Sequence, residues 1–242
     1  DYVHWQTLKD RYESLGHEIT ISRWREIVSG QNQAPEIKDV KIDLDFHPID
    51  SYTVQLLRQG LFPEFQYHAI LAPTITKDEK VILAVRGGDV ETGKRSIAPT
   101  GVIPFDKSSD NPIIDAYLAE SRQELDPSAT FTGTIKAYVL HNNQPKWVVV
   151  SQVNRTFQEL DELHKEAIAI YEESKRKSSI IGPAQEQQAR NAIKNHSHLP
   201  PDAWEAQHLR AIENYPGVIR ESMDHPLMFE LGKAALEVLL LQ

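Results

Sequence analysis

The sequence contains no cysteine. Disulfides, thiolate nucleophiles and cysteine-bound zinc are therefore excluded. No apolar run approaches the ~18 residues that a membrane span needs; Val238 to Leu241 is apolar but far too short. The first residues, Asp1-Tyr2-Val3-His4-Trp5, lack the charged-then-apolar pattern of a signal peptide. The expectation is a cytoplasmic protein with no membrane association. Positive charge is scarce as well: 26 Lys and Arg against 35 Asp and Glu leave a formal net charge of −9. That balance argues against nucleic acid as a partner, because no broad basic face can be assembled. An anionic small molecule is still compatible, where a metal cation or a local arginine offsets the repulsion. There is no Gly-x-Ser-x-Gly elbow, which argues against a conventional serine hydrolase. Arg86-Gly87-Gly88-Asp89 has neither the Gly-Lys-Ser/Thr ending nor the Gly-x-Gly-x-x-Gly spacing of a phosphate loop, so its glycines read as a turn.

What is present is a globular composition, with 40% hydrophobic and 25% charged residues over 242 positions. Three zones separate by pattern. Residues 1–62 read as an α/β extension. Tyr2, Trp5, Leu8 and Tyr12 recur at helical spacing, and Val40, Ile42, Leu44 and Phe46 alternate as in a half-buried strand. Residues 63–176 are rich in strands. Gln66 to Leu71 is one, and Lys80 to Arg86, apolar on both faces, predicts a central covered strand. Ser96 to Pro104 reads as extended; a helix at 112–125 follows, and then strands are expected near 131–140 and 146–154. Phe157 to Lys175 reads as a long helix. Residues 177–242 read as entirely helical, with helices from Pro183 to Asn195, from Pro200-Pro201-Asp202 through Trp204, Leu209 and Ile212, and from Pro226 to Leu241.

The 112–125 helix is the most informative stretch for function. Ile114, Leu118, Ser121 and Leu125 share one side at helical periodicity, which predicts the face turned to a core. Glu120 and Glu124 are four apart and neighbour each other on the helix surface. Such a pair repels unless a cation lies between its members, and oxygen donors of this kind suit Mg²⁺ or Mn²⁺.

The order of parts around this helix extends the point. A buried strand ends at Arg86, then come Ala98-Pro99-Thr100-Gly101-Val102, a loop, and Ala116-Tyr117-Leu118-Ala119-Glu120-Ser121-Arg122-Gln123-Glu124-Leu125. This arrangement resembles the Nudix family over roughly residues 66–176. The family's box sets a glycine turn before a helix reading Arg-Glu-apolar-x-Glu-Glu-x-Gly. The resemblance implies an α+β fold, a mixed sheet sandwiched between helices, flanked here by the N-terminal α/β and C-terminal all-helical extensions. It implies Mg²⁺-dependent cleavage of a phosphoanhydride in a nucleoside-diphosphate-type substrate. Glu120 matches the glutamate of the Arg-Glu pair, as metal ligand or catalytic base. Glu124 matches the last helix carboxylate, a metal ligand. Gly101 matches the glycine before the helix, and Arg86 the basic residue closing the preceding strand, both at the substrate. Ala119, Gln123 and Asp126 depart from the box, standing where it has arginine, glutamate and glycine. The segment between Gly101 and the helix is about four residues longer, and Asn111 sits near the expected upstream glutamate. These departures lower the expected metal affinity, unless Asp110 or a loop carboxylate compensates.

A second reading follows from the departures: an inactive module of the same fold that binds a nucleotide or a protein partner. A structural subunit of a larger assembly is a third. A homodimer through the N- or C-terminal helices is compatible with each. Two other groups read as surface. His196-Ser197-His198 lies at a helix end, where an exposed or capping role is expected. Asp161, Glu162, His164 and Glu166 read as a solvated helix face.

Overall fold

The structure, a computed structural model, describes residues 68–87, 92–103, 111–141, 144–178 and 181–241. The elements expected within 1–62, and Asp110, lie outside these residues.

The described chain forms strands β1 (Ala69–Leu71), β2 (Thr74–Ile75), β3 (Lys80–Arg86), β4 (Arg95–Ile97) and β5 (Thr100–Val102), then helix α1 (Pro112–Glu124). Strands β6 (Phe131–His141) and β7 (Gln144–Val153) follow, then helices α2 (Phe157–Lys177) and α3 (Pro183–Lys194). A 3₁₀ turn (Ala203–Glu205), strand β8 (Ala206–Glu213) and helices α4 (Pro216–Met223) and α5 (Glu230–Leu240) complete it.

The strands make one mixed sheet. Strand β7 pairs antiparallel with β6 on one edge and parallel with β1 and β2 on the other. Beyond those, β1 pairs with β5 and β2 with β3, both antiparallel. Strand β3 also pairs antiparallel with β4 and β8.

The unbroken apolar run of β3 is explained by helices on both faces. Successive side chains of a strand point to opposite sides. Ile82 and Ala84 join Ile70, Trp147 and Val149 in a core closed by Ile113 and Tyr117 of α1 and Leu160 of α2. Val81 and Leu83 join Leu71, Val148 and Val150 in a second core closed by Ile219 of α4 and Leu236 and Val238 of α5. The sheet therefore lies between two helical layers, as the resemblance implies. A third cluster, including Ala167, Tyr171, Ala189 and Ile193, ties α2 to α3.

The C-terminal extension is not all-helical. Residues 206–213 form β8, paired along the whole of β3 from Lys80↔Glu213 to Arg86↔Ala206. Leu209 and Ile212 are three apart, which mimics a helical period. In the strand they serve opposite faces, Leu209 in the α1 core and Ile212 against the α5 core. Only Ala206 and Leu209 of the strand are buried, while Gln207, Arg210 and Glu213 are exposed, so its buried and exposed positions recur every three residues and the period misleads. The last helix starts at Glu230 rather than Pro226, because 227–229 runs extended along β4: Arg95 N donates to the Leu227 carbonyl, and Phe229 N to the Arg95 carbonyl. The stretch from Ser96 to Pro104 divides into β4 and β5 around a cis Ala98–Pro99 bond. The buried face of α1 is set by Ile113, Ala116, Tyr117 and Ser121, with Ile114 and Leu118 only partly covered, so the helix is turned from the expected stripe.

Candidate active site

Helix α1 begins where the Asn111 side chain accepts a hydrogen bond from Ile114 N (3.2 Å), with Pro112 in the first turn. Its rotation is fixed inside the core, where the Tyr117 hydroxyl meets Ser151 Oγ at 2.7 Å and Ser121 Oγ donates to the Tyr117 carbonyl. That rotation turns Glu120 and Glu124 toward β5. A Cβ at position 101 would overlap the Glu120 carboxylate, so only glycine admits this approach. One residue earlier, Thr100 N donates to Glu124 Oε1 at 3.1 Å. Gly101 and its neighbour thus seat both carboxylates against backbone.

The facing wall comes from the 3₁₀ turn. Asp202 N donates to the Gln123 carbonyl (2.9 Å), which locks the turn to the end of α1. Gly87 N donates to the Glu205 carbonyl (2.8 Å), which locks it to the end of β3. His164 of α2, almost wholly buried, directs Nε2 at the Ala203 carbonyl (3.2 Å). Between the walls is a cavity of about 20 Å³, lined by Arg86, Thr100, Glu124, Asp202 and Glu205 among others. That volume admits a single water or ion. The pairing of β3 with β8 shifts register between Val85 and Arg86, a bulge that re-aims Arg86 at the rim.

Four carboxylates therefore share one electrostatic environment. Burial, reinforced by Glu205 and Asp202, pushes the Glu120 carboxyl up to about 7. Burial, then Glu205 and Glu120, pushes Glu124 well above the ordinary carboxylate range, while the Thr100 amide and Arg86 pull it back. Packing acids until they resist ionising is a costly arrangement that a divalent cation relieves. The donor set consists of hard oxygens and fits Mg²⁺ or Mn²⁺ in its chemistry. Among the described residues no three His, Asp or Glu side chains have the spacing of a closed ion cage.

Of the residues singled out from sequence, Glu120, Glu124, Gly101 and Arg86 come together here. Arg86 lines the same cavity as Glu124, and its guanidinium carbon is 5.9 Å from the Phe229 ring centroid. Sequence reading missed Asp202 and Glu205, having placed them in a helix. The signal was Pro200-Pro201, which interrupts the chain just before two acids three residues apart. Gln123 is exposed, and Asp126 serves the fold instead. Its buried carboxylate accepts from Arg155 Nε (2.8 Å) and from Ser128 N and Oγ (both 2.7 Å). Burial opposes its charge, but the Arg155 and Ser128 hydrogen bonds prevail and hold its carboxyl below the usual range. On α2, Glu162 and Glu166 are solvated as expected, whereas His164 is buried beneath the 3₁₀ turn because its ring closes the contact between α2 and that turn. His196 and His198 are exposed, with His198 Nε2 3.3 Å from Glu166 Oε1. No helix among the described residues is long and apolar enough to cross a membrane.

No family model matches the chain, and no curated protein matches it in sequence. Among solved structures it is similar to a Nudix hydrolase from Nitrosomonas europaea, at 11% identity over 71% of this chain and 68% of that one, with a TM-score of 0.37. It is also similar to a bifunctional NMN adenylyltransferase/ADP ribose pyrophosphatase from Francisella tularensis, at 11% identity over 78% of this chain and 45% of that one (TM-score 0.39). A third is the Nudix domain of Shewanella oneidensis NrtR complexed with ADP ribose, at 12% identity over 76% and 94% (TM-score 0.35). Likeness at this level assigns neither activity nor ligand to this chain.

Proposed function

We propose that this site hydrolyses a phosphoanhydride in a nucleoside-diphosphate-type substrate with the help of Mg²⁺ or Mn²⁺. The observation that carries the reading is the meeting of two acids from α1 with two from a turn about eighty residues later, beside one cavity with Arg86 at its rim. Glu124, with Glu120, would hold the ion. When bound, it supplies Lewis-acid polarisation of the phosphoryl oxygens and offsets the clustered negative charge. Glu120 could instead act as the general base that takes a proton from the attacking water. Arg86 offers a planar fork to a phosphate. Gly101 keeps the backbone close to the reacting group.

The test is incubation of the purified protein with nucleoside diphosphate derivatives, with and without Mg²⁺ or Mn²⁺. Metal-dependent turnover that disappears in Glu124→Gln is the expected result. The exposure of Gln123 and the open spacing of the acids favour a second reading, a module that binds a nucleotide without cleaving it. Nucleotide binding that ignores Glu124→Gln, with no turnover, would establish that reading and sink the first.

A further inference from the structure

Asp202 is the acid of the cluster whose side chain is held from outside the cavity. Among the described residues its carboxylate accepts one side-chain hydrogen bond, from Trp204 Nε1 to Oδ1 at 3.3 Å. Its backbone is tied separately. Asp202 N donates to the Gln123 carbonyl at the end of α1, and the Asp202 carbonyl accepts from Glu205 N (3.0 Å). The main chain thus fixes the residue, and the indole N–H fixes its carboxylate. Asp202 lines the cavity together with Glu124 and Glu205, and its charge helps to push the Glu120 carboxyl up.

The indole is itself braced. Trp204 packs against the apolar cluster that joins α2 to α3. The Arg190 guanidinium of α3 stacks on its ring, with the guanidinium carbon 3.6 Å from the centroid. Arg190 is committed to that ring, because its Nε is buried and makes no hydrogen bond. The acid one turn earlier on α3, Glu186, is bridged by Lys175 at 2.6 Å. Burying an N–H without an acceptor costs free energy, so this is not the arrangement of a free surface arginine. Arg190, Trp204 and Asp202 form one line of contacts from α3 to the acid cluster.

We infer that Trp204, braced by Arg190, is a positioning residue that holds the Asp202 carboxylate at the cation site, so that α3 tunes a cavity it does not line. This deepens the hydrolase reading and rests on it. A carboxylate fixed beside a set of oxygen donors strengthens a divalent cation through its charge and by accepting hydrogen bonds from the ion's waters. A carboxylate free to swing into solvent does so less.

The probe is Mn²⁺ alone, with binding to the full chain followed by electron paramagnetic resonance of the free ion. Asp202→Asn weakens Mn²⁺ about tenfold. Trp204→Phe, which keeps a ring and removes the N–H, weakens it about fivefold. Arg190→Leu, which removes the stack, weakens it about threefold. In an Asp202→Asn background neither of the last two substitutions changes the affinity by more than about 1.5-fold. A loss as large in that background as in the unaltered protein is a general effect on the fold and overturns the positioning role. Unchanged affinity in Trp204→Phe or in Asp202→Asn overturns it as well. If Mn²⁺ binding is still lost in Glu124→Gln in that case, the hydrolase reading survives without it. An unaltered protein that binds no Mn²⁺ overturns the two together.

Discussion

Helices α1 and α2 both carry acids at i, i+4 spacing, and the two helices use them in opposite ways. On α2, Asp161 pairs with Lys165 and Glu173 with Lys177, and both lysines are open to water. On α1, Glu120 and Glu124 have no lysine partner on their own helix and are pressed against β5 and the 3₁₀ turn. The spacing is the same, but the neighbours differ. A basic residue four positions on makes an acid part of the surface. A glycine opposite, a backbone amide and two further acids enclose it within a cluster of like charge. Sequence spacing alone cannot separate these cases, because the deciding contacts come from distant parts of the chain.

The contrast breaks most completely at the glycine. Gly101→Ala forces Glu120 out of place, and displacing a reacting group by about 1 Å costs roughly hundredfold in rate. The expected outcome is a drop of that order in metal-dependent turnover, with roughly 1–3 kcal/mol of lost stability from overpacking, read by steady-state assay and urea unfolding.

Next comes the cost of the buried charge itself. The folded state holds the Glu120 proton more tightly than the unfolded chain does, raising its carboxyl from 4.5 to about 7. The penalty is absent below about pH 4.5 and grows until pH passes about 7, reaching up to roughly 3 kcal/mol. Glu120→Gln should therefore match the unaltered protein near pH 4.5 and exceed it in stability at pH 8. Urea unfolding of both across that range measures the difference, and parallel curves would contradict it.

A smaller loss is expected where a buried acid is structural. Asp126→Ala removes the partner of Arg155 and the turn contacts of Ser128. Because Arg155 reaches solvent, the cost is nearer roughly 2 kcal/mol than a fully buried pair would give. Thermal unfolding should show that loss, with KM unchanged in any metal-dependent assay. The smallest effect belongs to α2: Lys177→Ala breaks an exposed pair with Glu173 and should change stability by less than about 0.5 kcal/mol. A larger effect there would erase the distinction between the two helices.

Strand β3, the β6–β7 hairpin and α1 were legible because each carries its own local signal: an apolar run, turn residues between two runs, or an Asn-Pro cap before a periodic stretch. Glu120, Glu124, Gly101 and Arg86 were legible through their order along the chain. Asp202, Glu205 and β8 were not. In β8 buried and exposed positions do not alternate, and its leucine and isoleucine three apart imitate a helix. His164 was misread for a related reason: three acids share its stretch of α2, and its burial depends on a turn some forty residues later.

The docking of β8 on β3 also orders events during synthesis. The chain leaves the ribosome N-terminus first, so Glu124 emerges about eighty residues ahead of Glu205, and Gly87 about 120 ahead of the carbonyl it bonds. Until β8 arrives, β3 presents an open edge, a template for unwanted pairing, and the α1 glutamates face no opposing acids. Closing that edge and bringing the last two carboxylates into place are one event. The acid cluster is therefore complete only once residues 202–213 have docked on β3 and α1.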